Sequence, residues 1–316
     1  VSFTSTIKSE LCRQEIPKGC CRRSELLGLI VTNGNLQFSG RRQVNLNVVT
    51  EHAYIARRLY KLLKGEFAVS PEVLARKKVR LRKNISYLIR VSDSRQAREI
   101  LQQLGIIDAE NRRVAAGSAL PPCCRRAYLR GCFLAGGSIS NPETNGYHWE
   151  IATELVAHAE NLRRLLAEMG VKSGIVPRKQ HQVVYVKDSE QIAQLLSLMG
   201  SIQGRLDFEN ARVLKEMRNR VNRLVNCETA NVNKTVEAAQ RQVSAIRRLA
   251  ALRGLESLSP GLRQVARLRL ENPEATLDEL GQLANPPLSK SAVNYRLRRL
   301  LAMADMGQGP DKPNSL

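Results

Sequence analysis

The stretch Cys20–Leu36, CCRRSELLGLIVTNGNL, returns at Cys123–Ile139 as CCRRAYLRGCFLAGGSI, displaced by 103 residues. A second pair, DSRQAREILQQLG from Asp93 and DSEQIAQLLSLMG from Asp188, is displaced by 95. Two collinear matches imply that one unit was duplicated with a modest change in length. Gly28 and Gly131 fall at the same place in the two copies, inside apolar segments that read as helices. A missing side chain there lets two backbones approach closely, so the first helices of the copies are expected to pack on one another about a pseudo-two-fold axis.

Working outward, each copy carries the same order of signals. Alternating VNLNVVT (44–50) and YHWEIATE (147–154) predict strands. AYIARRLYKLLKGE and HAENLRRLLAEMG follow, with apolar residues at three- and four-residue steps, as an amphipathic helix requires. Paired strands come next, KKVRLRK with SYLIRVS and SGIVPRK with QVVYVKD. The expected fold class is therefore α/β (α+β), a duplicated domain over 1–217 with repeats at about 1–110 and 123–217. RRVAAGSALPP, ending in Pro121 and Pro122, is the expected linker, since consecutive prolines oppose helix continuation.

Leu26–Gly34, LLGLIVTNG, and Leu129–Gly137, LRGCFLAGG, resemble the LAGLIDADG motif of homing endonucleases. That resemblance implies the homing-endonuclease fold, whose members hold divalent metal with an acidic residue at the eighth motif position. Asn33 and Gly136 occupy those positions here. An amide and a bare glycine cannot supply the anionic oxygens that metal-assisted hydrolysis needs, so no nuclease activity and no metal are expected. The double change Asn33→Asp with Gly136→Asp is the expected route to restored metal binding, with cleavage further requiring the lost outer ligands.

The chain has 316 residues, 43% of them hydrophobic and only 4% aromatic, enough for two or more aliphatic cores. Fifty Lys and Arg against 29 Asp and Glu give a net charge of +21. Residues 201–316 carry +7 of this, leaving +14 for the first 200, so a polyanion is the expected partner for the whole chain rather than for a basic tail. No run approaches a spanning helix, and the first residues lack a signal peptide's apolar core. The expectation is a cytoplasmic, nucleoid-associated protein without membrane contact. The cysteines (12, 20, 21, 123, 124, 132 and 227) show no CxxC or zinc-finger spacing, and the four histidines show no ligand spacing. They read as buried free thiols and as structural or surface residues, with no cofactor.

From Glu228 onward four compact helices are expected: VEAAQRQVSAIRRLAAL, PGLRQVARLRLEN, TLDELGQLA and SKSAVNYRLRRLLAMA. Thr276 with Glu279 forms a capping box, and Ser289 can cap the last helix after the Asn285–Pro287 turn. This is a helix-turn-helix pattern within an all-α domain at 218–306, with a flexible tail at 307–316. Val293, Leu297 and Leu300 should face the core. Lys290, Ser291 and Asn294 are then the expected base readers, with Tyr295 at their margin, Arg296, Arg298 and Arg299 holding phosphates, and Ser289 counted with them among the expected DNA-binding residues. Asn219, Asn222, Arg223 and Asn226 form one polar face opposite Val221, Leu224 and Val225. They read as caps of an interdomain turn or, together with Arg220, as a second DNA contact.

The segments CCRRSELLGLI, RLVNCETANVNKT and LSKSAVNYRLRRL closely resemble the WhiA family of bacterial regulators, over nearly the whole chain. That resemblance implies a degenerate LAGLIDADG domain joined to a helix-turn-helix domain. It further implies transcriptional control of sporulation or roles in cell division and chromosome segregation, with promoter DNA and a sigma factor or RNA polymerase as partners. A metal-dependent DNA endonuclease and an RNA-binding protein are the alternatives. The missing carboxylates weigh against the first and the scarcity of aromatics for base stacking against the second.

Overall fold

The computed structural model describes residues 2–39, 43–77, 85–110, 112, 117, 120–144 and 146–306. Contacts divide the chain into Val1–Glu216 and Met217–Leu316. The expected linker at 112–122 and the expected tail at 307–316 lie largely or wholly outside the described residues.

The first unit opens with α1 (Phe3–Arg13), for which Ser2 is the N-cap, its side chain accepting from the Ser5 amide. The first repeat follows as α2 (Gly19–Asn33), β1 (Gly34–Ser39), β2 (Gln43–Thr50), α3 (Ala53–Phe67), β3 (Glu72–Lys77), β4 (Ile85–Val91) and α4 (Ser94–Gln103). The second repeats it: α5 (Pro122–Gly136), β5 (Gly137–Ile139), β6 (Trp149–Thr153), α6 (Val156–Glu168), β7 (Gly174–Arg178), β8 (His181–Val186) and α7 (Ser189–Met199). The two antiparallel sheets have equivalent orders, β1-β2-β4-β3 and β5-β6-β8-β7, as duplication demands. The matched aspartates act alike, Asp93 and Asp188 each accepting from amides in the first turn of the following helix. The described residues place β3 at Glu72–Lys77, and the rest of the expected strand, 78–83, lies outside them.

Residues Ser24 to Thr32 of α2 are all buried, which suits a helix that is apolar on every side. Its partner is α5. A Cβ on Gly28 would collide with the Tyr128 carbonyl oxygen and stand 2.9 Å from the Cys132 amide nitrogen. One on Gly131 would collide with the Glu25 carbonyl oxygen and stand 3.0 Å from the Leu29 amide nitrogen. Backbone therefore meets backbone at both glycines. Glu25, fully buried beside this crossing, is held by Arg58 of α3 at 2.7 Å and Arg130 of α5 at 2.5 Å. Arg58 also donates to the Gln14 carbonyl, and Arg130 to the Gln14 side chain and the Met199 carbonyl. One carboxylate thus joins both repeats, and removing it would leave two nearly buried guanidiniums without their counter-charge.

The arginines of CCRR act within each repeat instead. Arg22 and Arg23 bind Glu66 at the end of α3, while Arg125 binds Glu168 at the end of α6. The carboxylate of Glu10 on α1 accepts from Ser201 and from the amides of Gln203 and Gly204, satisfying the free donors that open α8 (Ile202–Arg253).

The second unit builds its core from the end of α8 (Ala245, Ile246, Leu249), α9 (Pro260–Glu271), α10 (Leu277–Gln282) and α11 (Lys290–Met306). A 3₁₀ turn at Leu255–Ser257 separates α8 from α9. Three of the four expected compact helices have this form. The first is instead the last part of the 52-residue α8.

Candidate nucleic-acid interface

The capping box at Thr276 is formed in both directions, fixing the start of α10, and the Leu288 amide donates to the Gly281 carbonyl across the turn. Ser289 then accepts from the Ala292 amide at 3.2 Å, so its hydroxyl oxygen is engaged in starting α11. Val293, Leu297 and Leu300 are buried in the core, which fixes the rotation of α11 about its axis. Ser291, Arg298 and Arg299 are consequently exposed, Asn294 is half-buried and Tyr295 is 65% exposed. Lys290 is exposed but pairs with Asp278 of α10 at 3.1 Å. An exposed ion pair of this kind is worth little and yields readily to a phosphate or base. Arg296 has a partner within its own unit. It is half-buried and donates to the Gly261 carbonyl at the start of α9, because its position lies one residue before Leu297 on the inward-turning side.

Asn219, Arg220, Asn222, Arg223 and Asn226 all lie in the interior of α8 and are exposed. The helix is continuous through them, so the reading of these asparagines as caps of an interdomain turn is overturned. Val221, Leu224 and Val225 are exposed as well, at 51–60%.

At the motif ends, the Asn33 carboxamide donates to the Val49 carbonyl at 2.8 Å. An aspartate there would lose that donor and set an anion against a carbonyl oxygen. A Cβ on Gly136 would collide with the Ala152 carbonyl oxygen and lie 2.8 Å from Thr32 Cγ2. Backbone blocks the side chain itself. The expectation that two aspartates would restore a metal site is therefore corrected at Gly136, which takes no side chain without local rearrangement, whereas exposed Asn33 would give up one hydrogen bond as aspartate.

The cysteines also differ from the sequence reading. Cys20 and Cys123 are exposed, as is Cys227, while Cys21, Cys124 and Cys132 are buried. The Sγ atoms of Cys20, Cys21, Cys123 and Cys124 all lie within 4.8 Å of one another. The absence of metal-ligand spacing in the sequence is thus corrected by the fold, which brings two vicinal pairs, 103 residues apart, to the axis where α2 and α5 begin. Burial pushes the Cys21 thiol up to about 12 and raises that of Cys124, whereas a hydrogen bond with Cys124 draws the Cys123 thiol below its usual value. The duplication itself was the available signal, since a pseudo-two-fold axis superposes equivalent residues.

With this geometry in place, three segments match known families: residues 19–107 the WhiA N-terminal LAGLIDADG-like domain, 125–218 the WhiA LAGLIDADG-like domain and 221–304 the WhiA C-terminal HTH domain. Similarity extends through the whole chain. A protein of Desulforamulus reducens named probable cell division protein WhiA is 46% identical over 309 residues, covering 96% of each chain. One of the same name from Desulforudis audaxviator is 48% identical, covering 96% of this chain and 97% of its own. The chain belongs to the WhiA family. The crystal structure of full-length WhiA from Thermatoga maritima is similar to this chain with a TM-score of 0.58 and 26% identity, covering 97% and 99% of the two chains. As in that family, LAGLIDADG-like repeats with antiparallel sheets precede a helical HTH domain. Among the described residues of this WhiA-family chain, no helix is long and apolar enough to cross a membrane.

Proposed function

We propose that this chain is a sequence-specific DNA-binding regulator of transcription, without nuclease activity, that acts in cell division. The observation that carries the reading is the outer face of α11, where exposed Ser291, Tyr295, Arg298 and Arg299 and half-buried Asn294 stand opposite a core-facing Val293–Leu297–Leu300 stripe. Helix-turn-helix proteins present the N-terminal part of this helix to base edges in the major groove. Lys290, Ser291 and Asn294 read bases in this proposal, and Arg298 and Arg299 hold phosphates. The cell-division role follows the names of the relatives. Sporulation, chromosome segregation, nucleoid association and a sigma-factor or RNA polymerase partner rest on the family resemblance alone.

The test is a genome-wide occupancy map, paired with binding and cleavage assays on the full chain using the recovered sites. Enrichment at promoters is the expected result, with no cutting in Mg²⁺ or Mn²⁺. Asn294→Ala relaxes preference at one position by about 1–3 kcal/mol, while Arg298→Ala weakens all sequences alike and reduces the salt slope by about one unit. Enrichment at structural RNA genes, or preference and affinity left intact in both variants, would reject α11 as the reader.

A further inference from the structure

From the fold we infer that Cys20, Cys21, Cys123 and Cys124 form a structural zinc site that clamps the two repeats together at their pseudo-two-fold axis. Each repeat contributes two ligands from equivalent positions in the first turn of its motif helix.

The spacing fits one ion. Tetrahedral zinc with Zn–S near 2.3 Å places its sulfurs about 3.8 Å apart. The vicinal pairs stand at 4.0 Å (Cys20 and Cys21) and 3.8 Å (Cys123 and Cys124), and every pair is within 4.8 Å. A disulfide would require two sulfurs to close to about 2.0 Å. An iron–sulfur cluster sets bridging sulfide and several irons between its thiolates, for which this grouping is too tight.

The surroundings suit the charge. On binding, each of the four thiols releases its proton to solvent, and four thiolates with Zn²⁺ leave a net charge of −2. Two helix N-termini converge on the sulfurs, and neither N-cap residue, Lys18 or Pro121, makes a side-chain capping bond. The positive ends of both helix dipoles thus remain available to thiolate. Arg22, Arg23, Arg125 and Arg126 follow immediately in sequence, the first two shared with Glu66 and the third with Glu168. Cys21 and Cys124 also pack with Ala127 in a small apolar cluster, apart from the main core, flanked by Ile16 and Leu120. This half-enclosed setting shields two ligands and leaves Cys20 and Cys123 open for the ion to enter.

The test is elemental analysis of the full chain, purified under reducing, oxygen-free conditions and incubated with Zn²⁺. About one tightly held zinc per chain is expected, with X-ray absorption reporting four sulfurs near 2.3 Å. Co²⁺ in its place should give the visible bands of a tetrahedral tetrathiolate ion. Cys20→Ser with Cys123→Ser should abolish both signals, whereas Cys227→Ser should leave them intact. Zinc-free protein after reconstitution, fewer than four sulfur ligands, bound iron with sulfide, or a disulfide within the cluster under these conditions would overturn the assignment. The absorption measurement on the unaltered chain decides the matter should the double variant not fold.

Discussion

Lys8 is 5% exposed, with its ammonium 5.7 Å from the centre of the Phe133 ring, and burial lowers its pKa from 10.5 to about 8. The folded value lies below the unfolded one, so between pH 8 and 10.5 the unfolded chain holds more proton and stability from this group rises with pH. Below that window the fold carries a penalty of about 3 kcal/mol. Lys8→Met should therefore raise stability at pH 7 and flatten the rise at alkaline pH, as read by denaturant titrations of both proteins. Equal pH slopes would show that the ammonium stays hydrated. Gly131 gives a steric counterpart. Gly131→Ala drives a methyl into the Glu25 carbonyl and should cost about 2 kcal/mol or more, lowering the melting temperature. At Gly65 of α3 an added methyl would meet no atom within 4 Å, so Gly65→Ala should stabilise by about 0.5–1 kcal/mol. Similar effects at both sites would contradict the close crossing of α2 and α5.

At the scale of elements, α8 is the helix whose surface calls for an explanation beyond folding. Asparagine is a modest helix former, yet Asn219, Asn222 and Asn226 line one side of its exposed interior with Arg220 and Arg223 beside them. No turn lies there for them to cap, and we propose DNA contact as their role. Replacing Arg220 and Arg223 with Ala should shorten the protected footprint and reduce salt dependence, while the melting temperature hardly moves because both side chains are exposed. An unchanged footprint with a large fall in melting temperature would make the segment structural. The sequence showed this polar face clearly. It could not show the helix passing unbroken through it, because single-residue propensities near a domain boundary do not register how far cooperative helix extends.

For the whole molecule, a charge of +21 spread over both units predicts that affinity for DNA depends steeply on salt. Raising salt from about 50 to 200 mM should weaken binding by about 10³-fold or more if six or more phosphates are neutralised, measured by titration of the full chain on duplex DNA. A shallow dependence would mean that the basic surface faces something else. The repeat, the element order within each copy, the glycines of the helix crossing and the core stripe of α11 were all legible in the sequence, because each is a matter of periodicity or of residues matched at a constant offset. The folded chain alone decided the remainder. Arg296 reaches the Gly261 carbonyl, Gly136 is walled in by Ala152 and Thr32, and four cysteines with no ligand spacing meet within 4.8 Å. Spacing along a chain reports only neighbours on one element, whereas these arrangements arise where separate elements, brought together by a symmetry axis or a packed turn, fix the distances between residues far apart in sequence.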